Sequence, residues 1–284
     1  MRMVRNKIME IGKTNKLKVS RATDNGYYLV DEENNEVLLP NIYVTDDLKI
    51  TDEIEVFIYK DSEDRIVATT LTPYVQFEEF AYLKAKDVNN YGAFMDWGLP
   101  KDLMVPFAEQ EVKMKTGNWY LVFLLKDEET ERLIGSSKVN DFVYFKDIDV
   151  QPGDEVDLLL YDMTDLGMNA IVNNLHRGLI FKSDIHKDIQ AGDRIKGYVK
   201  QVREDGKIDL LLEPIGYKKN IDKDSEIILS ALKENNGFLK LTDKSEPEEI
   251  KQMLGLSKKA FKKSLGNLYK QKKVALTDTG INLV

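Results

Sequence analysis

Short apolar runs of strand length, set off by Gly, Asn and Asp, recur along most of the chain, and they recur in the same order three times. Each copy opens on a turn signal, a glycine and an apolar run. These are Asp24-Asn25-Gly26-Tyr27-Tyr28-Leu29-Val30, then Asn89-Asn90-Tyr91-Gly92-Ala93-Phe94-Met95, then Asp165-Leu166-Gly167-Met168-Asn169-Ala170-Ile171-Val172. The three glycines lie 66 and then 75 residues apart. A turn followed by such a run predicts a strand. A second landmark follows: Glu36-Val37-Leu38-Leu39-Pro40, Asp102-Leu103-Met104-Val105-Pro106 and Gly178-Leu179-Ile180-Phe181. A two-strand unit closes each copy, at 53–59 with 65–68, at 119–123 with 132–135, and at 193–199 with 207–211. The first and third closing units alternate partly with period two, whereas the second is nearly all apolar, as a strand buried in a barrel would be.

Each copy thus offers about five strands in roughly 60–70 residues without a long helix, and such a set buries a core by curling into a closed barrel of the OB type. The aromatic linker residues Phe142, Tyr144 and Phe145 read as packing between barrels. The tail changes period. An apolar stripe of Ile227, Ile228, Ala231 and Leu232 predicts a helix over 225–235, ended by Gly237. Pro247 fits the first turn of a second helix that runs to Met253, with Gly255 after it. Ser257 is placed to cap a third, from Lys258 to about Gln271. Lys273–Leu276 and Ile281–Val284 flank a turn and read as a hairpin. Three helices and a hairpin make a winged helix. The expected fold is therefore mainly β and multidomain: OB barrels at 1–72, 73–145 and 146–219, and a winged helix at 220–284.

Charge complicates a nucleic-acid reading. The net charge is −8, but residues 221–284 hold twelve Lys, no Arg and nine acids, leaving the first 220 residues at −11. Binding of a polyanion would have to rest on local patches and stacking rather than bulk charge. There is no cysteine, hence no disulfide or thiolate site. No apolar run approaches the ~20 residues of a membrane span, and the segment at 1–19 lacks the apolar stretch of a signal peptide. A cytoplasmic, non-membrane protein is expected.

Several residues could carry function. Tyr91, ending one strand, and Phe94, within the next, bracket Gly92 and could surface on one face, where an unpaired base stacks; alternatively Phe94 belongs to the core. Arg65, Arg132 and Lys207 occupy the same place in the three closing hairpins and could contact phosphate, or simply be solvated. On the third tail helix Phe261, Leu265 and Leu268 form the buried stripe, and Lys259, Lys263 and Lys270 lie about 160–200° from Phe261. Residues 256–273 hold seven Lys and no acid. That face reads as phosphate contact or as a solvated surface. His176 and His186 have no partner at a metal-binding spacing. Phosphate-loop, serine-hydrolase and zinc-protease motifs are absent, so neither a catalytic centre nor a cofactor or metal is expected.

Tyr91-Gly92-Ala93-Phe94-Met95-Asp96 followed by Gly98-Leu99 resembles the signature of S1-type RNA-binding domains. Three such barrels with a winged helix resemble the conserved virulence factor B (CvfB, YitL-like) family, as do 101–107 and 237–250. The resemblance covers nearly the whole chain. It implies single-stranded RNA as the partner and a role in post-transcriptional control, including virulence-related genes. It places stacking aromatics at Tyr91 and Phe94 and the hairpin cation at Arg132. The chain departs from the pattern in the first barrel, with Asn25 and Tyr28 at the aromatic positions, and in the third, with Leu166 and Asn169. Where many S1 domains carry a His, Val105 is expected in the second barrel and Phe181 in the third. The second barrel is therefore the expected best RNA binder, the first partial, and the third a scaffold or a contact through Phe181 and Lys182. Rival readings are an adaptor of the ribosome or RNA-decay machinery and a DNA-binding regulator acting through the winged helix.

Overall fold

A computed structural model describes residues 9–45, 47–214 and 217–284, with the side chains of 217–222 left aside. The expectation drawn from the first eight residues, and the part of the third-barrel boundary at 215–216, lie outside it. The chain forms two compact units, 1–212 and 213–284.

The first unit holds three copies of one five-stranded arrangement. The first comprises β1 (Thr14–Thr23), β2 (Gly26–Val30), β3 (Glu36–Pro40), β4 (Glu53–Lys60) and β5 (Ile66–Thr69). The second comprises β6 (Phe80–Val88), β7 (Gly92–Asp96), β8 (Leu103–Pro106), β9 (Trp119–Lys126) and β10 (Leu133–Ser136). The third comprises β11 (Glu155–Met163), β12 (Gly167–Val172), β13 (His176–Phe181), β14 (Arg194–Val202) and β15 (Ile208–Leu211). In the first and third the order 1-2-3-5-4 closes on itself, sealed by a parallel pairing of the third and fifth strands. The second keeps the order, but no ladder joins β8 to β10, so it curls without the hydrogen-bonded closure expected of it. Gly135 marks that seam: a Cβ there would lie 2.5 Å from Val122 Cγ1 and 2.9 Å from Val105 Cγ2. The sheet is held there by side-chain packing instead.

The repeated glycine has a backbone reason. Gly26, Gly92 and Gly167 take φ of 142°, 155° and 153°. A Cβ at each would fall 2.1, 2.3 and 2.0 Å from the carbonyl oxygens of Leu39, Val105 and Ile180. Only glycine lets the second strand start so close to the end of the third.

Each barrel has its own apolar filling, and two seams join them. Phe57 and Tyr59 of the first barrel pack edge-on against Trp97 of the second, with ring centroids 5.8 and 6.5 Å apart. Phe80, Phe123, Phe142 and Phe145 pack with Leu159 and Ile171 between the second and third. Asn174 stitches that seam, accepting from Phe80 N and donating to Glu78 O, both at 2.7 Å. Phe142 and Phe145 thus act in inter-barrel packing as expected. Tyr144 is exposed, and its carbonyl accepts from or faces the buried His176 ring at 3.0 Å.

The second unit comprises α1 (Tyr217–Glu234), β16 (Phe238–Leu239), α2 (Pro247–Leu254), α3 (Lys258–Lys270), β17 (Val274–Leu276) and β18 (Ile281–Leu283). The three strands form one sheet in the order β16-β18-β17. Ser257 caps α3 by accepting from Ala260 N at 3.2 Å, and Gly255 ends α2 at φ 69°. Helix α1 starts eight residues before the expected Ser225. Its opening residues, Tyr-Lys-Lys-Asn-Ile-Asp-Lys-Asp, carry too few apolar positions to show a helical stripe. No described helix is long and apolar enough to cross a membrane.

Candidate nucleic-acid interface

The outer face of each barrel is organised by a bulge in its first strand, at Val19/Arg21, Ala85/Asp87 and Leu160/Asp162. The bulge re-aims one side chain beside the second strand. Arg21 then stands opposite Tyr28, Asp87 opposite Phe94, and Asp162 opposite Asn169. The expected stacking positions are therefore equivalent in space, and the neighbours decide what each can do.

In the first barrel the Arg21 guanidinium lies 3.7 Å from the Tyr28 ring centroid and is itself held by Glu36 at 2.9 Å. One face of the ring is thus covered and the cation neutralised. Arg65 is exposed but bound to Asp61 at 2.7 Å and to Glu63 at 2.9 Å.

In the second barrel Phe94 is half-buried and faces outward, because its neighbours Ala93 and Met95 point into the core. Tyr91 is 76% exposed. It sits in the turn after β6, which ends at Val88, and not at the end of a strand as expected. The pairing of Gly92 with Pro106 and of Gly167 with Phe181 makes Pro106, not Val105, the counterpart of Phe181. Val105 points into the core. A cleft of about 430 Å³ is lined by Phe94, Met104, Lys101 and Arg132, together with Tyr59 and Asp64 of the first barrel. Arg132 is ion-paired to Asp64, and its guanidinium holds that carboxyl below the usual carboxylate range. Lys101 donates to Asp61 O at 2.6 Å and lies 3.7 Å from Asp64. Lys86 is paired to Asp102 at 2.8 Å. The hairpin of the first barrel thus supplies the counter-anion, Asp64, for both Arg132 and Lys101.

Asp64→Asn is the variant that tests this occupancy. Asn suits the left-handed backbone of position 64, at φ 62°. Freeing Arg132 and Lys101 should tighten binding of a single-stranded oligonucleotide at low salt by roughly 3- to 10-fold, the worth of one exposed charged contact. Fluorescence anisotropy titration checks it; unchanged affinity would mean that the second barrel makes no phosphate contact.

The third barrel differs in charge. The residue after its fourth strand is Arg203, whose N–H donates to Lys207 O; the same place holds Asp61 in the first barrel and Asp127 in the second. Position 177 of β13 is Arg, where the preceding barrels hold Glu36 and Asp102. Two acids have become two arginines. Arg177, Arg203 and Lys207 line one cleft of about 450 Å³ with Leu166 and Asn169. Arg177 donates to the neutral Asn140 Oδ1 at 2.6 Å, not to a carboxylate. Arg203 is fixed by the buried Asp209 at 2.7 Å, and Lys207 lies 3.1 Å from Asp205. At the rim the Phe181 ring has Lys200 Nζ and Arg203 Cζ each 5.9 Å from its centroid. Lys182 opens the turn after Phe181, 3.8 Å from Asp165.

The three hairpin cations occupy one equivalent place as expected, each accepting at its carbonyl from the first hairpin residue. Sequence reasoning missed Arg177, Arg203 and Lys200. Aligning the hairpins one residue earlier would have exposed the change from Asp61 and Asp127 to Arg203. In the second unit Lys259, Lys263 and Lys270 are all exposed on α3, as is Lys262. Among the described residues there is no group of His, Cys, Asp or Glu placed to hold a metal ion.

Comparison with known proteins agrees with this architecture. The chain is 32% identical to YitL of Bacillus subtilis over 274 residues, which is 94% of this chain and 91% of that protein. The chain belongs to the conserved virulence factor B (CvfB/YitL) family. Conserved virulence factor B of Staphylococcus aureus is 27% identical over 250 residues, 83% of each chain, and that of Staphylococcus epidermidis 25% over 263. Residues 226–283 match the CvfB-like winged helix domain, and residues 11–71 match the S1 domain. A solved multidomain protein with nucleic acid binding domains from Streptococcus pneumoniae is 25% identical and covers 96% of this chain and 98% of its own, at a TM-score of 0.41. This CvfB-family chain is thus built from three five-stranded units, the first of which matches the S1 domain, and a CvfB-like winged helix. The S1 match falls on the first barrel, whereas the Gly-Ala-Phe signature lies in the second.

Proposed function

We propose that this protein binds single-stranded RNA, with the third barrel as its principal contact, and acts in post-transcriptional control of gene expression. One observation carries the reading: Arg177 and Arg203 replace the acids of the other barrels and meet Lys207 in one cleft. Three cations around a cleft of this size suit the phosphates of an unpaired strand. The Phe181 ring beside them offers a stacking surface that tolerates any base. The rings at Tyr91 and Phe94, and the lysines of α3, add weaker contacts on the same chain, and linked weak sites raise one another's effective concentration. The anionic remainder of the molecule limits binding away from these patches. The staphylococcal relatives are named conserved virulence factors, and virulence genes fall within the role proposed here. Binding proceeds without chemistry on the RNA.

Titration of a fluorescent single-stranded RNA at low and moderate salt tests this. Phe181→Ala should weaken binding about 5- to 100-fold, the usual worth of a stacked base. Wild-type affinity in a folded variant would remove the third barrel from the interface. The same RNA, incubated with the protein and magnesium, should run intact on a denaturing gel.

A further inference from the structure

Helix α3 carries a glycine that its own fold does not ask for. Gly266 lies in the interior of Lys258–Lys270. A helix-interior glycine costs about 1 kcal/mol relative to alanine. Packing usually accounts for such a residue, because a neighbouring backbone comes too close for a Cβ. Here a Cβ would meet nothing within 4 Å, and the residue does not adopt a positive φ. The buried side chains of α3, Phe261, Ser264, Leu265 and Leu268, lie about 100–160° around the helix from it, and the three apolar ones pack in the core with α1 and α2.

The surroundings of Gly266 point outward. Lys259, Lys262, Lys263 and Lys270 stand seven, four and three residues before it and four after it, which places them on its face of the helix. Lys259, Lys262 and Lys270 form no ion pair among the described residues. The exposed Tyr269 ring borders the same face. The helix thus presents one half-buried backbone position without a side chain, framed by ammonium groups.

We infer that Gly266 is the point where the sugar–phosphate backbone of a bound RNA lies flush against α3, with its phosphates reached by Lys259, Lys262 and Lys270. A side chain there would hold the strand away and lengthen each lysine–phosphate contact. The inference rests on the proposed RNA binding and adds where, and how closely, the winged helix touches the strand. Charge complementarity selects a polyanion. The bare backbone selects a thin, continuous chain rather than the bulky surface of an acidic protein.

The test uses the full chain with Gly266→Ala, Gly266→Leu and the triple variant Lys259→Gln, Lys262→Gln, Lys270→Gln. Both glycine variants should melt at or above the wild-type temperature, since each supplies a better helix former with open space around it. RNA binding should weaken about 3-fold for Ala and 10-fold or more for Leu, the opposite sign to stability. The triple variant should weaken binding and flatten the salt dependence by about 2 in log–log slope, near 0.7 for each lost contact. If Gly266→Leu binds RNA like wild type while the triple variant does not, the close approach is wrong and the electrostatic role of α3 stands. If the triple variant also binds like wild type, α3 does not touch RNA at all. Competition by polyglutamate as effective as by RNA of equal charge would overturn the assignment to a nucleic acid strand.

Discussion

Replacing Arg177 and Lys207 together with Gln should weaken single-stranded RNA binding by roughly 10- to 100-fold, as expected for two solvent-exposed contacts worth about 0.7–1.4 kcal/mol each. Both residues line the third-barrel cleft. Neither pairs with a buried acid: Arg177 donates to Asn140, and Lys207 pairs with the exposed Asp205. Gln keeps part of the aliphatic stem and removes the charge together with the cationic donors. The slope of log affinity against log salt should flatten by about 1.4, twice the single-strand value for one phosphate. Arg203 is left out of the pair because its loss would strip the buried Asp209 of its cation and confound binding with stability. Lys16→Gln in the first barrel is a suitable control, since Lys16 is paired to Glu53 at 2.5 Å on a different barrel. Anisotropy titration at several salt concentrations measures both quantities. Wild-type affinity and slope in the double variant would sink the third barrel as the principal site.

Gly167→Ala should destabilise the barrel unit by about 3 kcal/mol or more, in the range reserved for forced backbone clashes. The added methyl would fall 2.0 Å from Ile180 O, a backbone atom one pair in from the end of an antiparallel ladder. No rotamer change can relieve it, and φ of 153° already disfavours an L side chain. For a unit of this size the melting temperature should drop by about 6–12 °C. RNA affinity should fall as well, because the displaced strand carries Phe181 opposite position 167. Melting followed by circular dichroism checks the first claim; a variant that melts like wild type would show that the strands can separate without loss.

That glycine also shows how far local pattern reaches. Gly26, Gly92 and Gly167 could be found as a repeat because the reason for them is a strand beginning beside its neighbour, repeated in each barrel. The succession of five strands in each copy, the capping of α3 by Ser257 and the hairpin at β17–β18 were legible for the same reason: period, turn chemistry and caps lie within a few residues of one another. The one-residue placement of Pro106 against Phe181 was not legible, since it depends on the cross-strand register with Gly92 and Gly167. The open seam of the second barrel was hidden too, because it turns on how closely β10 approaches β8.

The sequence by itself determined three similar β units and a winged helix, because alternation and helical period are properties of neighbouring residues. Only the tertiary structure decided which outward cations remain available. Arg132 is matched with Asp64, 68 residues away in another barrel, whereas Arg177 donates to the neutral Asn140. Electrostatic balance at a surface is summed over space and not along the chain, so the same residue type can be spent in one barrel and free to act in the next.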